Sequence, residues 1–136
     1  MRKYFTFVPY ASLFVWIQSN VVGQFDIYLK SLVFFMACDY FTGITISFLK
    51  RSGKTMSGAY RSDVAIYGLI RKVFMLLVVC IGYVLERLSG FEGLRNIVIC
   101  SFIINEGLSI IENVGIMGVP IPDKLKECFE LLKKEG

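Results

Sequence analysis

The chain has 136 residues, of which 55% are hydrophobic and 15% aromatic, with no histidine and a formal net charge of +4. A soluble domain of this size cannot hide so much apolar surface. Together with a mean hydropathy of +0.61, this excludes an ordinary soluble domain and implies a single membrane domain over 1–136. Without histidine no Ser-His or Cys-His pair can form, and Cys38, Cys80, Cys100 and Cys128 contain no CxxC spacing. All four are expected to be reduced, buried small hydrophobes. No catalytic, metal or cofactor site is expected, the chain is not read as an enzyme, and no nucleic-acid partner is implied.

Four apolar segments follow one another. The first covers about 4–22, is rich in aromatics (Tyr4, Phe5, Phe7, Tyr10, Phe14, Trp16) and has a short strongly apolar part. It either spans or lies at the interface, where aromatic rings are favoured. The second, about 29–49, is a clean span bounded by Lys30 and Lys50. The third, about 66–85, carries Arg71 and Lys72 in its first turns, where long basic side chains can snorkel to the headgroups. The fourth, about 94–114, is ended by Gly115, Gly118 and Pro120. After Pro122 the period changes: Leu125, Cys128, Phe129 and Leu132 recur at helical spacing, opposite Lys124, Lys126, Glu127, Glu130, Lys133 and Lys134. This predicts a short amphipathic cytoplasmic helix over 122–134, resting on the membrane surface, on a partner helix or on its own bundle. The fold class is therefore all-α: a small polytopic membrane bundle of three or four transmembrane helices plus that tail helix.

Charge sets the topology. The connection from Lys50 to Lys72 holds Lys50, Arg51, Lys54, Arg61, Arg71 and Lys72 against one acid, Asp63. The positive-inside rule places it in the cytoplasm, and the C-terminus with it. Within that connection, Ser52-Gly53-Lys54-Thr55 imitates the end of a phosphate-binding loop. The first glycine such a loop requires is Phe48, and a membrane span precedes it in place of a soluble strand, so the segment reads as a solvated basic loop.

The most telling residues are polar ones inside the spans. A carboxylate at the bilayer centre costs about 2.5–3.5 kcal/mol even on insertion scales. On a helical wheel Ser101, Asn105, Glu106, Ser109, Glu112 and Asn113 share one arc, with Ile97, Cys100, Ile103, Ile104, Ile110 and Ile111 opposite. Asp39, Thr42 and Gly43 form a weaker polar face on the second segment, where Gly43 permits close helix approach. Asp39 and Glu106 both fall near the midplane. With Lys30, Lys50, Arg71 and Lys72 all assigned to segment ends, no basic residue of the chain is expected at that depth. The carboxylates are then protonated, or face other copies or water. A polar packing contact within one bundle is the plainer reading; an oligomer-forming or lumen-lining face is the functional one.

The run NEGLSIIENVGIMGVPIPDKLKE (Asn105–Glu127), with Asp39-Tyr40-Phe41-Thr42-Gly43 and Gly68-Leu69-Ile70-Arg71-Lys72 before it, closely resembles the phage-lysis and toxin-secretion holins, phage holin family 4 of the Cp-1/TcdE-like type. The likeness covers about positions 35 to 132; the N-terminal segment shows no diagnostic match. The resemblance implies a small protein of the bacterial inner membrane that forms homo-oligomers and opens lesions. Through these an endolysin escapes to lyse the host, or a toxin is exported. Alternatives are an antiholin, or a non-lytic membrane anchor that binds a partner through its tail helix.

Overall fold

The computed structural model describes residues 7–49 and 62–135. The topology determinants Lys50, Arg51, Lys54 and Arg61, the basic-loop reading of 52–55 and the start of the first segment lie outside these residues. Among the described residues every regular element is helical: α1 (Phe7–Ile17), running on through a wider π-helical turn over Gln18–Val22, then α2 (Ile27–Phe48), α3 (Ser62–Ser89), α4 (Leu94–Ile116) and α5 (Asp123–Glu135).

Three of these helices are long and apolar enough to cross a membrane, namely Ile27–Phe48, Ala65–Ser89 and Leu94–Ile116. A span needs about 20 residues. Among the described residues the first segment is helical over 7–22, and Tyr10, Leu13, Phe14, Val15 and Trp16 on it are all exposed.

Local sequence explains the helix ends. Asp26 caps α2 by accepting the Leu29 N–H at 3.1 Å, filling one of the donors a helix start leaves open. The hairpin from α3 to α4 turns on Gly90 and Gly93 at φ 71° and 88°, a left-handed conformation that glycine adopts without strain. Glu86 then accepts the Arg95 N–H at 2.9 Å and satisfies the first turn of α4. Gly118 at φ 85°, with Pro120 and Pro122 behind it, stops α4 and reverses the chain into α5.

α2 and α4 run parallel and pack most extensively, with α3 antiparallel beside them. Leu29, Leu32, Met36, Met75, Val79 and Ile99 form the core. It is small for the size of the chain, because the outward apolar side chains (Phe34, Phe41, Val73, Phe74, Leu77 and Ile97 among them) remain exposed, as expected where lipid covers the surface. The cysteines correct the sequence reading. All four are free, but Cys100 and Cys128 are exposed and Cys38 and Cys80 only half-buried. A thiol is apolar enough to face lipid, so hydrophobic context did not imply burial.

The tail helix docks on its own bundle. Phe129 of α5 lies over Gly107 of α4, where an added Cβ would overlap its ring. Its ring also meets Phe35 of α2 edge-on, with centroids 6.5 Å apart.

Candidate functional site

Two clusters of charge tie the helices together. The first sits at the middle of the three long helices. Lys72 of α3 donates to Asp39 Oδ2 of α2 at 2.8 Å and to Glu106 Oε2 of α4. Arg71 Nη2 donates to the other Glu106 oxygen at 3.3 Å. Asn113 Nδ2 donates to Asp39 Oδ1 at 3.4 Å and to Thr42 Oγ1 at 3.0 Å, and that hydroxyl in turn donates to the Asp39 carbonyl at 3.0 Å. Two cations, Lys72 and Arg71, face the two carboxylates. The centre is also largely buried: the Lys72 and Asp39 side chains are each 8% exposed and Glu106 is 0% exposed. No buried side-chain nitrogen or oxygen among the described residues lacks a hydrogen-bond partner, the condition under which a buried ionic network is tolerated.

This corrects the expectation that no basic residue reaches the depth of Asp39 and Glu106. α3 begins at Ser62, one turn ahead of the apolar run, so Lys72 stands well inside the helix and not near its end. In place of snorkelling outward, it turns inward between two acids. Two opposed mid-span carboxylates and an adjacent Arg-Lys pair of equal and opposite charge were a readable signal.

The second cluster closes the opposite end of the bundle and was missed in the sequence. Arg95, only 5% exposed, donates to the carbonyls of Val22 at 3.2 Å and Gln24 at 2.7 Å, to Asp26 Oδ2 at 2.9 Å and to Asn96 Oδ1 at 3.2 Å. Partial burial opposes ionisation of Asp26, but the Arg95 hydrogen bond, the Leu29 N–H and the guanidinium charge outweigh it and hold the carboxyl below its usual range. Tyr83 donates to the Ser19 carbonyl at 3.0 Å, and its ring packs where a Cβ on Gly23 would stand. Only glycine fits there, since its φ is 80°.

The polar face foreseen on α4 divides between two surroundings. Glu106 and Asn113 are buried in the ionic centre with Asp39 and the half-buried Thr42, and Gly43 leaves room beside Asn113. Ser101, Asn105 and Glu112 are exposed and Ser109 is half-buried. Ser101 donates back to the Ile97 carbonyl at 3.0 Å. Arg71 touches Glu106, yet its side chain is 51% exposed.

A bundle of long apolar helices around a buried ionic centre defines a small multi-pass membrane protein. Residues 16–134 match the Bacteriophage holin family, and the chain belongs to that family. It is 35% identical over 130 residues to an uncharacterised 14.9 kDa protein in the nagH 3′ region of Clostridium perfringens, covering 94% of this chain and 90% of that one. An uncharacterised Halalkalibacterium halodurans protein is 30% identical over 121 residues, covering 85% and 84%. A "probable holin" of Bacillus phage phi105 is 30% identical over 77 residues, covering 56% and 57%. No solved structure matches the chain.

Proposed function

We propose that the protein is a holin that assembles in the bacterial inner membrane, with the 50–72 connection and the C-terminus in the cytoplasm, and opens a water-filled lesion through which an endolysin or a toxin leaves. The observation that carries this is the half-exposed Arg71 guanidinium paired with Glu106 at mid-span, together with the exposed Asn105 and Glu112 on α4. A cation facing acyl chains at mid-span costs about 2.5–3.5 kcal/mol on insertion scales. A second copy presenting its own Asn105 and Glu112, or water, removes that cost. The buried ionic centre keeps each copy folded, while the outward strip favours association as copies accumulate.

Family membership and the phage relative described as a probable holin support the reading. Expression in a bacterium should stop growth and release a co-expressed cytoplasmic enzyme. Asn105→Leu with Glu112→Leu, which leaves the ionic centre intact, should delay that release at equal expression. If the unaltered chain neither stops growth nor releases the enzyme, the holin reading fails and an antiholin or an anchor takes its place.

A further inference from the structure

α5 is folded back along α4 in a way that a lipid-embedded single copy does not permit. Two contacts fix the geometry: Ile121 reaches the position of a Cβ on Gly115 at 3.6 Å, and Phe129 lies over Gly107. Eight residues separate the contacts on each strand of this helical hairpin, so α5 runs antiparallel to α4. Gly107 stands nine residues before the end of α4 at Ile116, about 14 Å at 1.5 Å per residue. The half-thickness of a hydrocarbon core is about 15 Å. Phe129 therefore sits near mid-depth, and Lys133 and Lys134 lie one turn further in.

Lys124, Lys126, Glu127, Glu130, Lys133 and Lys134 on this helix are all exposed. Such a face cannot lie among acyl chains; it needs water along the full inner half of α4. The apolar contacts that hold the helix there are few. Leu125 and Leu132 remain 45% exposed, and Phe129 in the Gly107 notch is the principal anchor. The six residues 117–122, with Gly118 at φ 85° and two prolines, form the hinge.

We infer that α5 has two positions: on the cytoplasmic membrane surface in a lone copy, and folded into the Gly107 notch once assembly has put water against α2 and α4, so that the charged helix lines the opening. The inference rests on the proposed water-filled lesion and adds an element that changes place when the lesion forms. Filling the notch should hold α5 out of the opening and leave the α4 face beneath it bare.

The native cysteines provide the test. Cys100 on α4 and Cys128 on α5 are both exposed. With Cys38 and Cys80 replaced by Ser, spin labels on this pair, diluted with unlabelled protein in phospholipid vesicles, report the position of α5. The folded position predicts a label separation roughly 10 Å shorter than the released one, from helix rise alone. Sparse vesicles that retain a trapped dye should show the long separation, and dense vesicles that leak should show the short one. Gly107→Leu should show the long separation at both densities. A short separation in sparse, tight vesicles overturns the inference, as does a long one in leaking vesicles, while leakage itself leaves the lesion reading standing. Absence of leakage at every density overturns both.

Discussion

Replacing Lys72 by Met tests whether the ionic centre holds the bundle together. The methionine keeps the length and the apolar stem but removes the ammonium. Asp39 and Glu106 lose two charge-assisted hydrogen bonds in a site where neither carboxylate is more than 8% exposed. Each such bond contributes about 1.5–3 kcal/mol. Breaking a buried pair from one side costs about 3–5 kcal/mol, because the remaining charge stays in a low-dielectric interior. Glu106 keeps Arg71, and Asp39 keeps the Asn113 amide. A loss of about 4 kcal/mol is expected, close to a thousand-fold in the folded-to-unfolded ratio. Equilibrium unfolding in mixed micelles, followed by helical circular dichroism, measures it. The triple variant Lys72→Met, Asp39→Asn, Glu106→Gln removes the stranded charges and should recover most of the loss. A single variant costing less than about 1 kcal/mol, or a triple variant no better than the single, would refute the claim.

Further outcomes follow from the second cluster and the hairpin. Arg95→Met should destabilise by about 2–4 kcal/mol, since it strands Asp26 and uncovers two carbonyls, and should leave residues 18–24 more open to hydrogen exchange. The carboxyl of Asp26 is held below its usual range, so its contribution is present above the unfolded value of about 3.9 and is lost as pH falls through the lower folded value. Asp26→Asn should therefore be less stable than the unaltered chain at neutral pH, and the gap should close on acidification below that point. Gly23→Ala combines a positive φ with a clash against Tyr83 and should cost about 1–3 kcal/mol, visible as a lower unfolding midpoint.

The helices were legible because each apolar run is bounded by glycine, proline or charge, and the period change at Pro122 marks the tail helix. The ionic centre was only half legible. Asp39 and Glu106 stood out as acids in apolar surroundings, but their partner was assigned to the headgroups. The error was one helical turn: hydropathy dates the third segment from Ile66, whereas the backbone is helical from Ser62. Polar side chains can begin a helix before the apolar stretch does, and that turn moves Lys72 from the membrane edge to the interior. Arg95 and Asp26 were hidden for a different reason. They are far apart in sequence, and each sits in a link whose charge looked like ordinary solvent exposure. Gly107 carried no local reason for a glycine within α4; its reason is Phe129, which arrives from another helix.

The central claim is that copies associate through the outward strip and together open the membrane. Release of a trapped fluorescent dextran from phospholipid vesicles, followed against protein density, tests it most directly. Release should rise far more steeply than in proportion to density, and Asn105→Leu with Glu112→Leu should move its onset to higher density. Release proportional to density, or an onset unchanged by those substitutions, would contradict it.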